Sequence, residues 1–190
     1  EVVNLCIKHK DVIGFDLAGP EVGFSVLNHK EACALAVENN INVTLHADWE
    51  VPEGIKEVVL DSKAKRVGHG SQIINDISFE NGAIAFNNDA AKYVFDNKIA
   101  LEICPTSNVQ CGAFSNVSEH SFGELYTAGF NVTINTDNRL MSDITMSEEV
   151  SNIVESFGLG EKDILSITKN TIDAGFVEQE LKSKALEKLS

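Results

Sequence analysis

Two hydrophobic periods alternate along the chain. Short runs containing Val, Ile or Leu fall at 11–17 (DVIGFDL), 41–46 (INVTLH), 98–104 (KIALEIC) and 130–136, and a shorter candidate, 64–67, leads into GHG. Runs of that length and composition predict buried strands. Helical spacing fills the gaps. Ala32, Leu35 and Ala36 share a face within 29–40, which Asn39-Asn40 stops. Ile55, Val58 and Val59 do the same in a helix that Pro52 opens, since Pro suits the first turn. Ala91, Val94 and Phe95 mark 88–97, and Gly129 suits the C-terminal cap of 119–128. Ser147 is expected to cap a further helix with Glu148 and Glu149 in its first turn. Helices at 161–174 and 178–189 finish the chain. Strands recur roughly every 30 residues, which predicts a βα array around a parallel sheet. No Pro/Ser linker or low-complexity segment interrupts it, so residues 1–190 are expected to form a single domain.

Composition narrows the setting. A net charge of −14 argues against a nucleic-acid or anionic-membrane surface. No apolar run approaches the roughly 20 residues that span a bilayer, and no signal peptide is visible. A cytoplasmic protein is expected. The opening EVVNLCIKHK reads as the end of a helix, so the chain is expected to be a fragment. Cys6, Cys33, Cys104 and Cys111 lack CxxC spacing and read as free thiols of a reducing compartment. Cys33 is expected in the core. Cys104 ends a strand, where a buried inert thiol is the favoured reading.

Chemistry concentrates at the strand ends. In order they offer Asp16 and Gly19, then His46, then His69, then Cys104 with Ser107 and Asn108, then Asp137 with Asn138. The carboxyl ends of a parallel βα sheet share one rim, where sites of such folds lie. His46, His69 and Asp137 should therefore converge. Two imidazoles and a carboxylate are ligand types for zinc or a similar divalent ion. Glycines on both sides of His69 let backbone approach a neighbour closely. The stretch 135–138, Asn-Thr-Asp-Asn, crowds short polar groups at a strand end, where an Asx-turn is the plain alternative. His9, His29 and His120 are expected in solvent.

These strand ends resemble the adenosine deaminase family. The matching segments are GFDLAGPE at 14–21, LHA at 45–47, RVGHG at 66–70, LEICPTSNVQ at 101–110 and NTDNRLMS at 135–142, in family order and spacing. NTDNRLMS resembles the bacterial-type branch. The resemblance implies a TIM (β/α)8 barrel of the metal-dependent hydrolase type, here a partial barrel of about five parallel strands with C-terminal helices. It implies zinc-dependent hydrolysis of adenosine, and of deoxyadenosine, to inosine and ammonia. By position it makes His46 and Asp137 zinc ligands and gives His69 the orientation and deprotonation of the metal's water. Gly19 would bind the purine through its backbone N–H. Asn138 stands where many members carry a second Asp that meets the purine ring.

Two departures from the family pattern shape the expectations. The family's first strand supplies two further zinc ligands as His-x-His. This chain contains no His-x-His, and its first strand corresponds to the family's fourth. The missing N-terminal segment is thus an expected partner, and the chain alone is expected to be inactive. The family also reads His-Ala-Gly-Glu, with Glu protonating the ring nitrogen, where this chain reads His46-Ala47-Asp48-Trp49-Glu50. Asp48 is the first candidate for that acid and Glu50 the second. The alternatives are a catalytically dead relative that keeps the fold, and a metal-dependent amidohydrolase with another substrate.

Overall fold

Every strand of the main sheet is laid beside the parallel strand before it. The computed structural model describes residues 1–47, 51, 53–80 and 83–189. Along them run α1 (Val2–Lys8), β1 (Gly14–Leu17), α2 (Lys30–Glu38), β2 (Asn42–Ala47), α3 (Gly54–Lys56) and β3 (Arg66–His69). Then come β4 (Ile77–Glu80), β5 (Ala83–Phe86), α4 (Asp89–Asp96), β6 (Ala100–Ile103), α5 (Pro105–Gln110), α6 (Phe122–Ala128) and β7 (Val132–Ile134). The chain ends with α7 (Arg139–Ser142), α8 (Met146–Phe157), α9 (Glu161–Ala174) and α10 (Gln179–Glu187). The parallel sheet has the order β1-β2-β3-β6-β7, and β4 and β5 form a separate antiparallel pair. A sheet that grows in one direction, without the reversal of a doubly wound fold, is a barrel wall. The five strands and their helices are part of a TIM-type (β/α)8 barrel.

Register assigns the two faces, because paired residues of a parallel sheet share one. Leu45 pairs with Leu17 and Val67, Val67 with Leu101, and Leu101 with Val132. That face is apolar and buried, and its core continues into Ala36 of α2, Val94 of α4, Leu125 of α6 and Ile167 of α9. Each Val or Leu so buried contributes roughly 1.5–3 kcal/mol. The other face carries Asp16, Thr44, His46, Arg66 and Glu102. There Thr44 donates to Glu102 Oε2 at 2.7 Å, and Arg66 Nε lies 2.8 Å from Glu102 Oε1. The alternation along each strand thus separates a packing face from a polar one.

Several boundaries differ from expectation, each for a local reason. The cap of α8 is Thr145, not Ser147. Thr145-x-x-Glu148 is a capping box, whereas Ser147 has Val150 three residues on. Thr145 N–H donates to Glu148 Oε2 at 2.7 Å, and Glu148 N–H donates to Thr145 Oγ1 at 3.3 Å. α6 starts at Phe122, and Glu119 belongs to a preceding 3₁₀ turn, Val117–Glu119, capped by Asn116. α3 begins at Gly54 and continues as a π-helical turn, Glu57–Asp61; Pro52 lies outside the described residues. The β4–β5 pair is not among the expected strands: it falls between β3 and α4, where the roughly 30-residue repeat assigns no strand. The Asn81-Gly82 dipeptide between them is a hairpin signal in the sequence. Pro105, expected only to close a strand, also starts α5, where its missing N–H costs nothing.

Candidate active site

The carboxyl ends of β2, β3, β6 and β7 share one rim, and His46, His69, Ser107, Asn108 and Asp137 lie there. His46 sits on the polar face of β2, its side chain 24% exposed, with Nε2 3.2 Å from Glu21 Oε1. His69 ends β3 and pairs with Ala47, so strand alternation would turn it onto the apolar face. Its backbone is left-handed instead, with φ 60°. The alternation breaks, and its ring meets that of His46 edge-on with centroids 4.6 Å apart. The flanking glycines make room for neighbours within the chain. A Cβ on Gly68 would stand 3.2 Å from His46 Cα, and one on Gly70, where φ is 70°, would stand 2.8 Å from Leu101 Cδ2.

Asp137, three residues beyond the end of β7, is also left-handed, with φ 56°. Such backbone costs a non-glycine residue roughly 1–2 kcal/mol, and two of the candidate residues carry it. Asn40, Lys63, Lys98 and Asp143, which are not candidates, share that conformation, so it does not by itself mark the site. Asp137 Oδ2 accepts from Ser107 Oγ at 2.7 Å. Ser107 and Asn108 are buried in α5. α5 is itself anchored from below: Thr106 N–H donates at 2.9 Å to the fully buried Glu149 of α8. One short helix therefore holds Asp137 through Ser107 and His69 through Asn108, whose Nδ2 lies 3.2 Å from His69 Nδ1.

His120 corrects an expectation. It is 2% exposed, not in solvent. Its Nε2 lies 3.1 Å from Asn108 Oδ1, its Nδ1 accepts from Phe122 N–H at 2.9 Å, and the Phe114 ring covers it with centroids 4.1 Å apart. Nothing periodic surrounds it in sequence, so the pattern gave no sign of its burial. His9 and His29 are exposed as expected. Cys33 and Cys104 are buried, and Cys104 Sγ donates to Glu102 O at 3.3 Å.

Burial, and secondarily the charge of His69, lowers the His120 pKa from 6.5 to about 4. Across that window the unfolded chain binds a proton that the folded chain refuses, so stability rises with pH there. Acidification from 6.5 toward 4 should thus cost stability, with no further loss from this group below. At about 1.4 kcal/mol per pH unit the loss is on the order of 3 kcal/mol. Denaturant unfolding at both ends of the window should show it, and His120→Gln should flatten the difference.

The remaining candidates divide. Gly19 has φ 136° and open space where a Cβ would stand. It lines a cavity of about 200 Å³ with Leu17, Phe24, His46 and Glu57. Asn138 is the N-cap of α7, its Oδ1 accepting from Met141 N–H at 3.2 Å. Asp48 and Glu50 lie outside the described residues. A larger cavity, about 940 Å³ and lined by Lys10, Ile13, Asn42, Lys65 and Phe176, opens at the strands' amino ends. In barrels that end serves stability, and the chemistry sits at the other.

His46 and Asp137 are zinc donors by type, but a zinc site takes at least three protein ligands. Among the described residues no three His, Cys, Asp or Glu side chains come together in a group that could hold a metal. The described residues alone do not make a complete zinc site.

A one-directional βα wall with two histidines and an aspartate on its carboxyl rim is the framework of a TIM-barrel enzyme, whose sites lie at that end. Residues 1–190 match the family described as adenosine deaminase, and the chain belongs to that family of hydrolases. It is 41% identical over 182 residues to an adenosine deaminase of Mycobacterium sp. (strain JLS), covering 93% of this chain and 50% of that protein. Solved structures agree in fold. An adenine deaminase from Arthrobacter aurescens superposes with a TM-score of 0.87 at 20% identity, over 99% of this chain and 55% of that one. The apo N6-methyl-AMP deaminase of Arabidopsis thaliana superposes with a TM-score of 0.82 at 27% identity, over 98% and 52%. The chain spans about half the length of the relatives it matches. Among the described residues no helix is long and apolar enough to cross a membrane.

Proposed function

We propose that this chain is the half of a cytoplasmic, zinc-dependent adenosine deaminase that carries the carboxyl-terminal strands, hydrolysing adenosine and deoxyadenosine to inosine and ammonia. The observation that carries the reading is the His46–His69 ring contact at 4.6 Å, joined through α5 to Asp137. In this reading residues 1–190 form one segment of a single catalytic domain. Its partners are the missing N-terminal segment and a purine nucleoside, with no nucleic acid or membrane. His46 and Asp137 are two of the zinc ligands, and the others come from outside the described residues. Zinc held there would supply a Lewis acid to the site. His69 orients the attacking water, and Gly19 and Asn138 meet the purine. Alone, the chain should bind zinc substoichiometrically and turn over no adenosine.

Adenosine is favoured because the relative at 41% identity is named for it. The adenine and N6-methyl-AMP deaminases stand at 20% and 27%. The test is a substrate panel on this chain completed with the half of the mycobacterial relative that it does not span. Adenosine should turn over faster than adenine or AMP, and the reverse order would replace the substrate. The same protein tests the ring-nitrogen acid. If Asp48 donates that proton, Asp48→Ala should keep zinc and lower the chemical step by about 10² to 10⁴. Glu50→Ala should show that loss only if Glu50 is the donor. Equal activity in both variants would place the acid elsewhere. Zinc retained with no activity on any purine would favour a dead relative, which the HADWE segment makes a specific alternative.

A further inference from the structure

The chain of hydrogen bonds behind His69 starts at a donor that has no choice. Phe122 N–H is a backbone donor, and it lies 2.9 Å from His120 Nδ1. That nitrogen must therefore carry the lone pair, and the proton of the neutral ring must sit on Nε2. His120 is 2% exposed, and burial keeps it neutral. Its Nε2–H then meets Asn108 3.1 Å away, so the amide atom there must be the acceptor Oδ1. This orientation leaves Asn108 Nδ2, a donor, facing His69 Nδ1 at 3.2 Å. Asn108 itself is 2% exposed, so the amide is held away from solvent. Each link fixes the next.

We propose that Asn108 and His120 form a buried positioning relay that holds His69 as the Nε2–H tautomer. Neither residue has to touch substrate for this, and both act through His69. The consequence deepens the reading given under Proposed function, on which it rests for the presence of water and purine. With Nδ1 accepting from Asn108, neutral His69 offers an N–H at its other edge. It can donate a hydrogen bond to an attacking oxygen and hold it in place. It cannot take that oxygen's proton at Nε2 while the tautomer lasts. His69 is thereby an orienting and electrostatic group.

The test is long-range ¹H–¹⁵N correlation NMR of the histidine rings in this chain. His69 is assigned by its disappearance in His69→Asn, and the pH is set above the ordinary imidazole value of about 6.5. The wild type should show protonated Nε2 and unprotonated Nδ1 for His69. Asn108→Asp should reverse it, because a carboxylate accepts from both rings and draws the His69 proton to Nδ1. His120→Leu should release the amide and give averaged tautomers, while His120→Gln, which can still donate to Asn108 Oδ1, should restore the Nε2–H signature. A wild-type His69 protonated on Nδ1, or averaged between the two, would overturn the relay even if no variant folded. So would an unchanged tautomer in a folded Asn108→Asp. None of these readings depends on deaminase activity, so the relay and the proposed function fail separately.

Discussion

Asp137→Ala, made in this chain completed with the missing half of the mycobacterial relative, should lose zinc and turnover together. The carboxylate is a proposed direct ligand, and its loss removes both a donor and a charge that opposes the metal's. Ser107 supplies the graded comparison. Its hydroxyl donates to Asp137 Oδ2 at 2.7 Å, so Ser107→Ala should weaken zinc by about 10- to 100-fold, as loss of an outer partner does, and spare the fold. Asp137→Asn separates metal from backbone. Asn tolerates the left-handed φ of 56° at least as well as Asp, so the zinc-free variant should melt no lower than the zinc-free wild type, yet retain little zinc. Elemental analysis after desalting, beside a thermal melt, reads both quantities. Full zinc occupancy in Asp137→Ala would remove Asp137 from the ligand set.

His69→Asn should do the opposite: keep zinc and lose the chemical step by about 10² to 10⁴. Asn is chosen because residue 69 has φ 60°, where Asn is among the most tolerant side chains. The edge contact with His46 disappears, but His46 keeps its place in β2 and its Glu21 neighbour at 3.2 Å. The loss should appear in kcat with KM nearly constant, since an oriented water matters more in the transition state than in substrate binding. A parallel fall in zinc content would mean that His69 is a ligand, not an orienting group.

The architecture was legible because strand and helix periods differ and recur at regular spacing. The five parallel strands fall within two or three residues of their expected positions. The gathering of His46 and His69 on one rim was legible for the same reason, since parallel strands must end together. What the pattern could not show was depth and backbone hand. The left-handed conformations of His69 and Asp137 are not encoded in periodicity, yet the one at His69 overrides the alternation that would have turned it away. His120 illustrates the same limit. Its burial depends on Phe114 and Asn108 folding over it from elsewhere, and no spacing around residue 120 records that. Thr145 was readable, since a Thr-x-x-Glu box competes directly with the Ser147 start and wins by satisfying two backbone donors. Asn138 carries a local role, capping α7, that sequence could not separate from a role toward substrate.

Release of ammonia from adenosine by the completed, zinc-loaded protein is the most direct test of the central claim. The account predicts ammonia and inosine in equal amounts, activity lost on chelation and recovered with zinc, and none from the 190-residue chain alone. A folded, zinc-loaded completed protein that releases no ammonia from adenosine would contradict it.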